Sequence, residues 1–411
     1  MTLSNVLGIC QLEYDDRKSR RCSDRYKKSV RDLERGHHDN ETIFHVIFKK
    51  RTVVRSDQTF TLQEKMKFLM AWAFQALFSS GVSSQQTRLV FQFPKPTWLE
   101  NIAATRSGHL LTGVLGASPA SLHVVDPSVE SNLTQRTLLH TFPEANSVFG
   151  ISEYAPDLFA VAIGNYSPST GSTKGTYSVW SVDVRHLSSC ANSSIGPLVH
   201  KIADVPNMEV INGIAALNDD AILLADSFAG TVVRLDISSG KYETVIQHPS
   251  TAFAPMLGIN GIKVLHATNP PKVFYTNTQL NTVFSAPINP HTGKLVGEVV
   301  AVAEHENGPD DLAVTDDGTV LFVKTYAGTL SKAKMGEKVE LVAGTEGSSV
   351  LQGATSVTLG RTYKDRNVAY VATMGGFNAN GSFVEGGKIV ALEFGGKAQN
   401  AEKKDQEARE L

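Results

Sequence analysis

The sequence predicts an all-β fold, a six-bladed β-propeller, and three observations carry that prediction. One layout of strands and turns returns about six times at roughly 45–60-residue intervals, which is blade spacing. From Thr87 to Phe394 strands and turns follow one another, with no convincing amphipathic helix. A strand at Thr87–Phe93 precedes the first unit and has no blade of its own, so it completes the last blade and closes the ring.

The clearest unit runs Ile211-Asn212-Gly213-Ile214, a turn at Asn218-Asp219-Asp220, Ala221–Ser227, a turn at Gly230, then Thr231–Asp236 and a turn at Ser239-Gly240. Strand, hairpin, strand, turn, strand is the order of a four-stranded blade. The layout recurs from Asn260-Gly261-Ile262 and from Pro309-Asp310-Asp311-Leu312. Weaker copies open at Glu100-Asn101-Ile102, Phe149-Gly150-Ile151 and Gly353-Ala354-Thr355.

Composition agrees with a large globular chain. Of 411 residues, 41% are hydrophobic and 19% charged, and the formal net charge of −2 argues against a nucleic-acid-binding surface. The three cysteines, Cys10, Cys22 and Cys190, have no metal-ligand spacing. No nucleophile elbow, phosphate loop, dinucleotide fingerprint or HExxH is present. His123, His140, His200, His248, His266 and His291 lack a partner pattern and read as structural.

Residues 1–65 differ from the rest. Basic runs such as Arg17-Lys18-Ser19-Arg20-Arg21 read as a disordered extension or an over-extended gene model, with a nucleic-acid or targeting role as the alternative. Residues 66–84 read as a signal peptide: Lys65 and Lys67 precede the apolar run Phe68–Phe78, and Val82-Ser83-Ser84 supplies a small-residue cleavage site. The run is too short to span a bilayer. The expected mature chain begins at Gln85, holds the propeller to residue 394 and ends in a flexible charged tail, 395–411. Its expected location is secreted or in the secretory-pathway lumen. Sequons at Asn132, Asn165, Asn192 and Asn380 are candidate glycosylation sites. The alternative for 66–84 is a buried helix of a cytosolic protein.

Propeller geometry converts spacing into a site. Residues opening each unit meet around the axis: Glu100, Asn101, Asn212, Asn260, Asp310 and Asp311. Those closing the second strands, Asn165, Ser227, Asn277, Lys324 and Met374, form a second ring nearby. A ring of carboxylates and amides suits a hard cation such as calcium. The competing reading is ordinary turn chemistry, in which Asn-Gly and Asp-Asp merely cap strands.

These motifs resemble the senescence marker protein/gluconolactonase superfamily over nearly all of residues 87–394. The resemblance implies a divalent metal at one channel end, held at Glu100, Asn260 and Asp310, with Asn212 on the substrate side. Two departures stand out: Glu100 sits in Trp98-Leu99-Glu100-Asn101, and Asp311 replaces the family's glycine after Asp310. Trp98-Leu99-Glu100-Asn101, Phe149-Gly150-Ile151, Asn212-Gly213, Asn260-Gly261-Ile262 and Asp310-Asp311 resemble more closely a divergent fungal branch. Some members of that branch are hetero-Diels–Alderases of natural-product pathways, joining a tropolone-derived quinone methide to a terpene alkene. On that likeness Trp98, Asn101, Phe149, Asn277, Tyr326 and Met374 are candidate substrate contacts. Glu100, Asn212, Asn260, Asp310, Asp311 and Lys324 are candidate catalytic groups. Ordinary blade-core packing is the alternative for the apolar ones. The cycloaddition requires no cofactor, although calcium or another divalent metal fits the ring.

Three functions follow, in this order. The first is a small-molecule cyclase acting on apolar partners. The second is a metal-dependent lactonase, and the third a non-catalytic binding propeller.

Overall fold

A computed structural model describes residues 87–129, 136–188, 197–253 and 257–394. The extension 1–65, the signal-peptide segment 66–84, the tail 395–411 and the sequons at Asn132 and Asn192 lie outside the described residues.

Six four-stranded antiparallel sheets form six blades. Blade one comprises Trp98–Ala104, Leu110–Leu115, Ala120–Val125 and Arg136–Phe142. Blade two comprises Ser147–Ala155, Leu158–Gly164, Ser178–Asp183 and Leu198–Asp204. Blade three comprises Ile211–Asn218, Ala221–Asp226, Thr231–Asp236 and Tyr242–Gln247. Blade four comprises Ile259–Leu265, Lys272–Asn277, Thr282–Pro287 and Val300–Ala303. Blade five comprises Pro309–Val314, Val320–Lys324, Thr329–Ala333 and Glu340–Ala343. Blade six comprises Ala354–Leu359, Val368–Thr373 and Lys388–Glu393, and its outer strand is Thr87–Gln92. That first strand pairs antiparallel with the last, Thr87 opposite Leu392 and Gln92 opposite Lys388. Among the described residues the one helix is a 3₁₀ turn at Arg185–Ser188, and no helix is long and apolar enough to cross a membrane.

The strand patterns explain the layering. Second strands such as Ala221–Asp226 are buried throughout, because both faces meet a neighbouring blade. Outer strands such as Leu198–Asp204 mix exposed and half-buried positions. Six apolar clusters fill the gaps, one between each adjacent pair of blades. At about 25 cal/mol per Å² of apolar surface removed from water, these wedges are the main stabilising term.

One irregularity recurs and builds the site. The inner-strand register breaks at the same place in every blade: Leu99/Ile102, Val148/Ile151, Ile211/Ile214, Ile259/Ile262, Pro309/Leu312 and Ala354/Ser356. A bulge frees residues from the alternation of the ladder and re-aims them. Here the freed residues, two in each of blades one to five and Thr355 alone in blade six, turn toward the axis.

Candidate functional site

The bulges stack two layers of side chains around the axis. The upper layer holds Glu100, Phe149, Asn212, Asn260, Asp310 and Thr355, one from each blade. Beneath it lie Asn101, Gly150, Gly213, Gly261, Asp311 and Ser356. Glu100 and Asp310 interact electrostatically and Asn260 hydrogen-bonds Asp310, Asn212 opens the equivalent bulge of blade three, and Asn101 and Asp311 belong to the layer below. Thr355, named from sequence only as part of a weak blade opening, and Ser356 supply the blade-six positions of the two layers.

Hydroxyls just past the second strands fix this arrangement by stitching each blade to the next. Ser227 donates to the Ile259 carbonyl at 2.6 Å, Thr278 to Pro309 at 2.9 Å, and Thr325 lies 2.7 Å from the Ala354 carbonyl. Each caps a carbonyl that the bulge would otherwise leave unpaired. Thr278 also fixes Asn260, whose Nδ2 donates to it at 2.9 Å. The Asn260 Oδ1 is left buried with no hydrogen-bond partner.

The two upper carboxyls are both driven toward their protonated forms. Burial, then the charges of Asp310 and Asp311, hold Glu100 well above the usual carboxylate range, against the 2.6 Å hydrogen bond from the Trp98 indole to its Oε2. Burial and the Asp311 charge push Asp310 up to about 7, against hydrogen bonds from Thr325 and Asn260. The Thr325 Oγ1 lies 2.6 Å from Asp310 Oδ2 and 2.7 Å from the Ala354 carbonyl. While Asp310 is ionised it competes with that carbonyl for the single hydroxyl proton; once Asp310 is protonated, the hydroxyl proton goes to the carbonyl, which can only accept. The Thr325 oxygen is then free to accept from a protonated Asp310.

Aromatic side chains wall the mouth. Trp98 meets Phe377 edge-on at 5.7 Å, and Phe377 meets Phe383 at 4.7 Å. Phe149, predicted as a substrate contact, is instead packed in the apolar cluster between blades two and three, 6.3 Å from Tyr166 and 5.6 Å from Tyr177, which is the blade-core alternative. Tyr326 is 61% exposed and its ring lies against Gly308, while Met374 lies against Gly353. Burial and then Asp310 raise the Tyr326 hydroxyl. Burial, then Glu100 and Tyr326, raise that of Tyr166. Both phenols therefore lie within electrostatic reach of the acid pair.

Three predicted residues are engaged elsewhere. Asn277 is fully buried, its Nδ2 donating to the Ser250 and Ala252 carbonyls and its Oδ1 accepting from the Leu280 amide. That amide caps the 250–252 loop and offers nothing to the channel. Lys324 is paired with Glu306 at 2.9 Å, with both side chains largely buried. The blade-five group that reaches the ring is Thr325, one residue later. Asn165 uses its Oδ1 to accept the Asn146 amide at 2.9 Å. Of the two described sequons, Asn380 is exposed, in the blade-six loop beside the mouth.

The donor set fits a hard cation. Trp98 occupies Glu100 Oε2 and Thr325 adjoins Asp310 Oδ2, which leaves Glu100 Oε1, Asp310 Oδ1 and the unpartnered Asn260 Oδ1. Among the described residues no group of three or more His, Cys, Asp or Glu gathers for a metal. The set is two carboxylates and one amide.

Fold and site together define a six-bladed propeller with a ring of acids and amides at one channel end. The chain is similar to a Phoma sp protein named as an inferred hetero-Diels-Alderase, 25% identical over 314 residues, 69% of this chain and 85% of that one. A Sarocladium schorii protein named for the same inferred activity is 24% identical over 327 residues, covering 69% of this chain and 77% of its own. Among solved structures, a luciferin-regenerating enzyme shares 15% identity over 76% of this chain and 96% of its own, with a TM-score of 0.53. The calcium-binding protein regucalcin from Agrobacterium tumefaciens shares 12% over 75% of this chain and 94% of its own, also at 0.53. No family model matches. The chain is thus a propeller of the regucalcin-like fold and a distant homologue of proteins named as hetero-Diels-Alderases.

Proposed function

We propose that this propeller is a cyclase of secondary metabolism, catalysing a hetero-Diels–Alder addition of a tropolone-derived quinone methide to a terpene alkene. The observation that carries the reading is the acid pair Glu100 and Asp310, holding a proton at the floor of an aromatic-walled mouth. The distant relatives named for that activity support it.

The reaction suits such a site. Four π electrons of the oxygen-containing diene and two of the alkene form one C–C and one C–O bond, with no leaving group and no change in redox state. Most of the barrier is the entropy of bringing two apolar molecules into register. Fixing them in a near-attack pose is worth up to about 7–11 kcal/mol. Trp98, Tyr166 and Tyr326 supply flat surfaces for both partners. A protonated Asp310 or Glu100 donates to the quinone oxygen, drawing electron density out of the diene where negative charge accumulates. Asn212, which opens the equivalent bulge of blade three, would orient the same oxygen, and buried Phe149 gives the ring one apolar flank.

A second reading is favoured by the unpartnered Asn260 Oδ1. Glu100, Asn260 and Asp310 would hold a calcium-like cation, which when bound supplies Lewis acidity toward a lactone carbonyl. The protein is then a lactonase, and the two acids are neutralised by the cation rather than by a proton.

The deciding experiment incubates the purified protein with a quinone-methide precursor and humulene, and separately with lactones, each with and without EDTA. Cycloadduct formed at an EDTA-insensitive rate supports the cyclase. Lactone hydrolysis abolished by EDTA and by Asp310→Ala, without cycloadduct, replaces it with the lactonase. Retained ligand binding with neither turnover leaves a binding propeller.

A further inference from the structure

Below the acid ring, the second layer is divided into a half without side chains and a half that carries them. Blades two, three and four carry Gly150, Gly213 and Gly261. A Cβ on Gly150 would lie 2.6 Å from the Asn212 carbonyl, and one on Gly213 2.8 Å from that of Asn260. A Cβ on Gly261 would lie 2.6 Å from the Asp311 Cα. The inner strands of blades two to five therefore touch backbone to backbone, with no room for a side chain between them.

Across the remaining gaps the structure places Asp311, Ser356 and Asn101. Asp311 accepts from Ser356 at 2.6 Å, from Asn101 at 3.1 Å and from the Lys263 ammonium at 2.9 Å. Asn101 in turn accepts from the Ile151 backbone amide at 3.3 Å. Blades one and five are not neighbours, so the Asn101–Asp311 bond passes in front of blade six. The network touches blades one, two, four, five and six. All six residues of the layer are buried. At the opposite end of the propeller a separate polar cavity of about 600 Å³ opens among Arg106, Glu153, Asn218 and His266.

We propose that Asn101 and Asp311, with Ser356 and Lys263, form a transverse septum that closes the axial channel beneath the acid ring, making the site a blind cup shielded from solvent at the far end. These are positioning residues that need not touch substrate. For the septum's use in catalysis the inference rests on the cyclase reading. A quinone methide is consumed by water as well as by an alkene. Water adds its oxygen to the exocyclic carbon and its proton passes to the quinone oxygen, with no other reactant needed. A cup closed at its base admits water only past the bound partners.

Asn101→Gly tests this with the full chain. Glycine occurs at the equivalent position of three other blades, and the Asp311–Lys263 pair is left intact. The first readout needs no activity: hydrogen exchange at the Ile151 amide, which loses its acceptor, rises at least tenfold. The second is product partition, in which the ratio of cycloadduct to water adduct falls about tenfold. The control is Val273→Ala, which weakens the cluster between blades three and four and is compared at equal displacement from Tm. It leaves both readouts near wild type, whereas a merely structural role for Asn101 makes the two variants alike. If Asn101→Gly does not fold, Asn101→Ser, which keeps a short acceptor, is measured with an intermediate result expected. Wild-type exchange at Ile151 in the folded variant overturns the septum. Elevated exchange with no cycloadduct from any variant upholds the septum and removes the cyclase reading instead.

Discussion

Replacing Asp310 by asparagine should make this protein more stable at alkaline pH, although it removes a group at the centre of the site. The folded carboxyl titrates near 7 rather than 3.8, chiefly because it is buried, with the Asp311 charge adding to the effect. The folded chain therefore holds the extra proton between about pH 4 and pH 7, and stability falls as pH rises through that window. The step from 3.8 to about 7 converts, at about 1.4 kcal/mol per pH unit, to a ceiling of about 4 kcal/mol. Glu100 shares the strain, and the asparagine amide can donate to Thr325 as the protonated carboxyl does. The expected gain is thus about 2–3 kcal/mol at pH 8 and close to zero at pH 4. Urea unfolding of both proteins in EDTA at the two pH values measures it. Asp310→Asn less stable than wild type at pH 8, or a gain equal at both pH values, would refute the reasoning. Added calcium has the opposite sign: if the ring holds the cation, calcium stabilises wild type at pH 8 and not the variant.

Other outcomes follow from neighbouring features. Gly213→Ala forces a methyl within 2.8 Å of both the Asn260 carbonyl and the Ile262 amide, and should cost about 1–3 kcal/mol in urea unfolding. Burial and then Arg136 hold the His123 imidazole down to about 4, against 6.5 in the unfolded chain. Stability is therefore lost as pH falls from 6.5 toward 4, by about 2–3 kcal/mol, and His123→Gln should flatten that slope in a thermal-melt series. Expressed in a secretory host, the chain should appear in the medium cut before Gln85. Its gel mobility should shift on glycosidase treatment, with Asn380→Gln removing part of that shift.

The opening motifs were legible because each bulge places consecutive residues off the ladder, and pairs such as Asn260-Gly261 and Asp310-Asp311 stand out inside apolar strands. The second ring was legible at Ser227 and Met374, each one residue past its second strand. Their equivalents in blades four and five are Thr278 and Thr325, whereas the strand-closing residues Asn277 and Lys324 stand one position earlier and face away. Alternation of period two makes a one-residue offset a reversal of side. Blade six left almost no signal, since Thr355 and Ser356 look like any turn residues until their partners, Leu99 and Asp311, are brought beside them by the closed ring. Lys263 reads as an ordinary strand lysine, because its partner lies 48 residues further along the chain. Trp98 was legible as a wall residue, but its hydrogen bond to Glu100 depends on the bulge bending two nearby positions together.

The borrowed outer strand of blade six has a consequence for synthesis. Thr87–Gln92 leaves the ribosome before any blade, and its partner Lys388–Glu393 leaves after nearly all of them. Through most of translation the nascent chain therefore carries an unmated edge at each end of a growing arc. Until the two meet, Val90 and Phe93, buried in the finished ring, remain open to other chains. Crowded expression should trap swapped oligomers in which one molecule's leading strand completes another's last blade.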